Sequence, residues 1–413
     1  AVNSDYARDI TDICKQQGYS AMLIDERDRE YMLNEVLDLY KLANFFRTLN
    51  VAEIRMAIIC QPQYLEKIRY FEKKTHDRGM KIKFFLDSDS AKRWLLYAPV
   101  PYMQRTINVA VAVIQRKDGY ILFTERPAGK ACAGEWEFPG GKVEAGETPR
   151  EALNREIEEE LAIHITQARP WITLPHNYPH ASVLLHFFIV TDWTGTEHGR
   201  EGQQLSWQKL SELTISPLLA ANAPVIRALQ LPDIYAISCI SEIGEEEFLH
   251  RLAGRVESGL KLLQLREKSL SNCQLHRLVD QILPITVPAG VNLLINSDMP
   301  FQQQKRFSGL HLTSRHLMML DHRPEFDTVA ASCHNKEELQ QAVELGVDFA
   351  VLSPVMKTLS HPEATPLGIN KMAEIITDCP IPVYALGGMT IDQLDEIQSH
   401  GAHGIAMLRN AWL

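Results

Sequence analysis

The chain has 413 residues, a formal net charge of −10, 45% hydrophobic residues and 23% charged ones. This is an ordinary globular composition, long enough for roughly two to four domains. The acidic balance argues against stable nucleic-acid binding, and no uninterrupted apolar run approaches the roughly 20 residues of a membrane span. Seven cysteines (Cys14, Cys60, Cys132, Cys239, Cys273, Cys333 and Cys379) are scattered without C-x-x-C spacing. That pattern argues against a zinc site or a disulfide framework and for a reducing cytoplasm. No signal-peptide pattern opens the chain, which starts at Ala1 without an initiator methionine, so a trimmed first domain lacking its opening strand is expected.

Residues 1–100 alternate helix and strand. Helices are expected at 7–17, 28–49, 63–78 and 88–96, the second with Met32, Val36, Leu39, Leu42 and Phe46 at helical spacing. Short apolar strands fall at 21–25, 53–60 and 81–87, which implies a small open α/β sheet. The stretches LIDER and DRGMKIKFFLDSDSAKRWL, with this element order, resemble a STAS-type module, which implies binding or assembly. The charges Asp25, Glu26, Arg27 and Asp28 are most simply a loop. Residues 97–104, with two prolines, read as linker.

Residues 105–231 form a second unit. Strands are expected at 107–115 and 120–125 around the turn Lys117-Asp118-Gly119, then at 171–174, 182–193 and 204–207, with a closing helix at 223–229. At its centre GGKVEAGETPREALNREIEEELAI, residues 140–163, packs seven glutamates into a glycine-led loop and the helix after it. Glu156, Glu159 and Glu160 stand at i, i+3 and i+4, so a helix sets all three on one face, where like charges repel. A cation removes that penalty, and gathered carboxylate oxygens suit Mg2+ or Mn2+. On the glutamates alone, a solvated acidic face explains the run equally well.

The complete pattern resembles the Nudix box through Gly141, Glu147, Arg155, Glu156, Ile157, Glu159, Glu160 and Ile163. Ala162 stands where that family has glycine, at the helix exit, and is expected to cost backbone strain. EFPGGK, GETP, EGQ and ANAPVI further resemble the MutT-type 8-oxo-dGTP pyrophosphohydrolases. The resemblance implies an α/β/α sandwich that hydrolyses a nucleoside triphosphate to the monophosphate and pyrophosphate. It also implies that Glu156, Glu159, Glu160 and the Gly141 carbonyl hold the metal, with Glu201 as general base. Glu147 and Arg155 would pair to orient loop and helix, Arg126 would face phosphate, and Asn222 would read the oxidised purine. Read without it, Glu201 is solvated loop, Arg126 is surface, and Asn222 could cap the last helix. Ala181 falls where purine readers carry arginine, which leaves the base open.

Residues 232–413 repeat a shorter unit. Strand-like runs at 234–239, 261–265, 292–295, 309–312, 328–332, 349–352, 383–386 and 404–408 have helical segments between most of them, as at 245–257, 336–344 and 392–399. Eight such strands argue for a compact (β/α)8 TIM barrel with its site at the strands' C-terminal ends. Gln264, Arg266, Lys268, Asn296, Asp298, His311, His334 and Ser353 cluster there. LLQLREK, GLHL, AASCHN, DFAVLSPV and YALGGM resemble thiamine phosphate synthase and the related thiazole tautomerase. The resemblance implies a phosphorylated thiamine precursor or another phosphate ligand, held by Gln264, Arg266, Lys268, Asn296 and the Gly387–Gly388 amides, with His334 matching an acid–base histidine. Three departures stand out: the order Asn296-Ser297-Asp298, basic Arg315-His316 where the synthase carries an acidic metal ligand, and His361 in place of a lysine.

Overall fold

The computed structural model describes residues 13–14, 17, 19–28, 54–64, 81–97, 106–130, 132–178, 181–299, 306–358, 363 and 365–413. The expected helix at 28–49, nearly all of those at 7–17 and 63–78, and His361 lie outside the described residues.

Strands β1 (Ala21–Asp25), β2 (Arg55–Ile59) and β3 (Ile82–Phe85) pair in parallel in that order. The central β2 is buried along its whole length, which is why RMAII reads as a nearly continuous apolar run. Helix Ser88–Tyr97 covers the sheet, packing Ala91, Trp94 and Leu95 on Ala57, Ile59 and Phe85.

The second region begins with β4 (Ile107–Ile114), β5 (Ile121–Glu125), β6 (Trp136–Glu137), β7 (Gly140–Lys142), β8 (His164–Tyr178), β9 (Ala181–Thr194) and β10 (Leu205–Gln208). They form one sheet in the order β7-β4-β9-β8 and another in the order β10-β5-β6. Helix Pro149–Leu161 starts at a capping box. The Thr148 side chain accepts from the Glu151 amide, Glu151 reaches back to the Thr148 amide, and Pro149 opens the first turn. Ala152, Leu153, Ile157 and Leu161 recur on its inner face and pack on Ala110, Ala112, Ile114, Leu122 and Val190. The opposite face is left to the glutamates.

Strand β8 is far longer than the apolar run 171–174 suggests. It runs through Pro170 and Pro175, which an edge strand such as β8 tolerates because the missing N–H can face away from the sheet.

Strands β11 (Ile234–Ile237), β12 (Leu262–Leu265), β13 (Asn292–Asn296), β14 (Gly309–Leu312), β15 (Thr328–Cys333), β16 (Phe349–Leu352), β17 (Val383–Leu386) and β18 (Gly404–Met407) close into a parallel barrel. Each pairs with its neighbour in the chain, and β18 returns to β11. Tyr235, Leu262, Leu294, Phe349, Val351 and Tyr384 fill the interior.

The floor of the barrel meets β8. The Thr173 amide donates to the Cys379 carbonyl at 3.0 Å, and the Trp171 indole N–H donates to His403 Nδ1 at 3.1 Å. His403 Nε2 lies 3.0 Å from the Leu231 carbonyl, so Nε2 carries the proton and Nδ1 accepts. That arrangement needs a neutral ring, and burial pushes His403 down to about 4. Cys379 and His403 precede β17 and β18, so this contact uses the N-terminal ends of the strands. No helix among the described residues is long and apolar enough to cross a membrane.

Ala162 ends the acidic helix at φ 58°, ψ 30°, in the left-handed region that disfavours a Cβ. Ala162→Gly is therefore expected to stabilise the protein by about 1 kcal/mol and raise Tm by a few degrees in a thermal melt.

Candidate active site

The glycine loop and the acidic helix are built against one another. A Cβ on Gly140 would lie 2.1 Å from the Ala110 carbonyl, and one on Gly141 would lie 2.1 to 2.4 Å from the Glu156 carboxylate. Glycine at 140 lets β7 pass this close to the β4 backbone, and at 141 the space of a Cβ is taken by the Glu156 carboxylate. Across the gap the Gly140 amide points to Glu160 Oε2 at 3.3 Å.

Arg155 ties the two elements together. Its Nε and Nη2 reach Glu147 at 2.7 and 2.9 Å, its Nη1 reaches Glu156 at 2.9 Å and Glu159 at 3.3 Å, and Nη2 also reaches the Lys142 carbonyl at 3.0 Å. The guanidinium, with the Glu144 amide, holds the Glu147 carboxyl down to about 2.

Glu160 faces the opposite environment. Burial pushes its carboxyl up to about 7, Lys130 pulls against that, and the negative charges of Glu201, Glu137 and Glu156 add to the rise. Four carboxylates therefore share one partly buried region. Arg126 lies within it, with Nη1 2.6 Å from both oxygens of Glu137. Burial raises the Glu137 carboxyl despite that arginine.

Glu201 sits on an exposed turn, 2.5 Å from Lys130 Nζ. The turn is anchored to the end of the acidic helix. The Arg200 amide donates to the Glu160 carbonyl at 3.0 Å, Arg200 Nη1 to the Glu158 carbonyl at 3.2 Å, and Gln203 Nε2 to the Glu160 carbonyl at 3.1 Å. Gln203 Oε1 in turn accepts from the Glu201 amide at 2.8 Å. Lys130 and Arg200 carry no signal in the sequence, and Gln203 stands in the EGQ segment without an assigned role. The glutamine in EGQQ is the one signal that was there to be read, because a buried glutamine in a polar loop needs partners for both ends of its amide.

Asn222 is buried at the start of helix Asn222–Leu229, and its Nδ2 donates to the Trp136 carbonyl at 3.3 Å. It is not the helix cap. That position belongs to Ala221, which has no side chain to donate or accept.

The donor set fits a hard divalent cation. All of its members are oxygens, on a glycine loop and one helix face, and Glu160 is raised mainly by burial, with the neighbouring carboxylates adding to the rise. Among the described residues no three acidic, histidine or cysteine side chains are already gathered about one point. Arg155 and Lys130 hold the carboxylates in their place.

The barrel residues divide into two sets. Gln264 and Asn296 are fully buried, Gln264 donating to the Tyr235 hydroxyl at 3.0 Å and accepting from Asn296 at 3.0 Å. The network continues from Tyr235 to His311 at 3.1 Å and on to Ser332 at 2.8 Å. These side chains satisfy one another inside the barrel. The Arg266 amide bonds Ser238 Oγ at 2.9 Å. Lys268 lines a cleft of about 530 Å3 with Ser297, Asp298, Thr313, Arg315 and His316. His334 faces Glu338 at 2.9 Å. Gly387 and Gly388 adopt φ of 110° and 65°, and a Cβ on Gly388 would lie 2.4 Å from the Lys357 carbonyl.

With this geometry in view, comparison with known proteins is direct. Residues 104–229 match the NUDIX domain model and residues 234–411 the thiamine monophosphate synthase model. An 8-oxo-dGTP diphosphatase of Haemophilus influenzae is 39% identical over 126 residues, 30% of this chain and 93% of that protein. A CTP pyrophosphohydrolase of Escherichia coli is 40% identical over 124 residues, 30% of this chain and 91% of that protein. A putative thiamine-phosphate synthase of Aquifex aeolicus is 35% identical over 181 residues, 43% of this chain and 96% of that protein. The chain belongs to the Nudix family through its middle region and to the thiamine monophosphate synthase family through its barrel. Its Nudix region is a hydrolase of pyrophosphate bonds of a divalent-metal-dependent class.

Gly141→Ala places a methyl group where the Glu156 carboxylate lies. Because that neighbour is the end of a flexible side chain, the fold should survive and the carboxylate should rotate away. A crystal structure of the variant should show Glu156 displaced from β7, with Tm lowered by no more than a few degrees.

Proposed function

We propose that the chain is a Mg2+-dependent nucleoside triphosphate pyrophosphohydrolase, with 8-oxo-dGTP its favoured substrate and Mn2+ able to replace Mg2+. The observation that carries this reading is the gathering of Glu156, Glu159 and Glu160 on one face of the acidic helix against the glycine loop, where a Cβ on Gly141 would meet the Glu156 carboxylate. Burial there, with the charges of Glu201, Glu137 and Glu156 adding to it, raises the Glu160 carboxyl to about 7. The similarity to an 8-oxo-dGTP diphosphatase supports the substrate class. Glu156, Glu159, Glu160 and the Gly141 carbonyl would hold the ion, which would supply positive charge to the phosphate oxygens and to the attacking water. Glu201 takes that water's proton, held in reach by Gln203 and Arg200 on the helix end. Glu147 and Arg155 position loop and helix without touching substrate. Arg126 supplies positive charge to the phosphates, and Asn222 offers a donor and an acceptor to the base.

The base is the finer question. Ala181, on β9, brings no charge or hydrogen-bonding group where purine readers carry arginine, and a CTP pyrophosphohydrolase is as similar as the 8-oxo-dGTP enzyme. The same reading divides the chain into units 1–100, 105–231 and 232–413. The barrel would take a phosphorylated ligand, with thiamine phosphate or thiazole chemistry as the alternative activity. Seven free cysteines favour a reducing cytoplasm.

In a turnover panel with Mg2+, 8-oxo-dGTP is expected to outrun dGTP and CTP, and equal rates would remove the purine assignment. Glu159→Gln should lower turnover by about 100-fold or more with the fold intact by circular dichroism. Unchanged turnover would contradict the metal role.

Glu160 also sets a pH dependence. Its folded value of about 7 lies above the ordinary 4.5, so the folded state favours the protonated form. This group's stabilisation is fully present below about 4.5 and is lost as pH rises to about 7. Without metal, Tm should fall over that window. Saturating Mg2+, which displaces the proton, should reduce the fall.

A further inference from the structure

We infer that the cleft at the C-terminal ends of β12, β13 and β14 binds the phosphate of a small phosphorylated ligand without a divalent cation, the protein's own cations standing in for the metal. Each of the three strands contributes. Lys268 follows β12, Ser297 and Asp298 follow β13, and Thr313, Arg315 and His316 follow β14.

The metal that the synthase family uses at this end of the barrel does not fit these residues. Among the described residues Asp298 is the one carboxylate lining the cleft, and Lys268 Nζ lies 2.7 Å from its Oδ2. Where the sequence resemblance calls for an acidic ligand, Arg315 and His316 project into the same space. Mg2+ is held by oxygen donors, usually including one or two carboxylates, and it competes poorly beside two fixed cations for a carboxylate already paired. Among the described residues no three acidic, histidine or cysteine side chains gather into a metal site.

The same residues suit an anion. Lys268 and Arg315 outweigh the single Asp298, and a guanidinium beside an ammonium is a common phosphate cradle. The neutral donors are already oriented. Ser297 Oγ lies 2.7 Å from His316 Nδ1 and accepts from the Thr313 amide at 2.9 Å. Arg315 Nη2 lies 3.3 Å from His316 Nε2, which holds the guanidinium beside the imidazole at the cleft. A volume of about 530 Å3 exceeds what a phosphate group needs and leaves room for an organic portion.

The test is calorimetric titration of the full chain with inorganic pyrophosphate, and separately with inorganic phosphate, in EDTA. One site per chain is expected for at least one of the two anions, and the tighter anion tells a diphosphate ligand from a monophosphate. Arg315→Ala should weaken binding by about tenfold or more, and Arg315→Lys should recover most of it. Nudix turnover should be unchanged in both variants. That keeps failure of this inference distinct from failure of the pyrophosphohydrolase reading, and shows that the protein is folded. Absence of binding in EDTA, binding that appears only with Mg2+, or wild-type affinity in Arg315→Ala would overturn the inference.

Discussion

Arg155 spends one guanidinium on five acceptors. It bridges Glu147 and the Lys142 carbonyl on the glycine loop to Glu156 and Glu159 on the acidic helix. The value of this bridge lies in the geometry it imposes on loop and helix. It fixes the distance between a loop that must approach to glycine range and a helix whose outer face carries like charges. Helix and loop are placed from opposite sides: Ala152, Leu153, Ile157 and Leu161 anchor the helix in the core, while Arg155 draws the loop onto it. Without the arginine, four carboxylates would share the region with Lys130 and Arg126 as the nearby cations.

The same local economy appears around Glu201. An exposed carboxylate on a turn has no reason to keep one position, yet Gln203 and Arg200 lock that turn to the carbonyls at the helix end. Close approach also demands glycine here, since a Cβ on Gly199 would lie 2.2 Å from the Gln203 carbonyl. The helix therefore serves as a shared reference for both halves of the candidate site.

Much of this could be read from the sequence, for identifiable reasons. The acidic helix announces itself through fixed spacing and a Thr-Pro start, and the barrel through eight short apolar runs that became eight paired strands. Ala162 was expected to be strained, and it does sit in the left-handed region. What the sequence hid was tertiary. The strand expected at 171–174 fell short of β8 because nothing local tells an edge strand from a loop. Gln264 and Asn296 stand near the C-terminal ends of their strands, as a pocket would need, yet they are satisfied on neighbouring strands by Tyr235 and each other. Lys130, 71 positions before Glu201 in the chain, could not be paired with it from spacing. The contact of Trp171 with His403 likewise joins residues 232 apart.

The central claim is that the crowded carboxylates serve hydrolysis of a triphosphate between its α and β phosphates. The most direct measurement is product analysis after incubating the purified chain with a nucleoside triphosphate and Mg2+. Anion-exchange chromatography should show nucleoside monophosphate and pyrophosphate in equal amounts, and none when EDTA replaces Mg2+. Release of single phosphates, or turnover that ignores the removal of metal, would contradict the account.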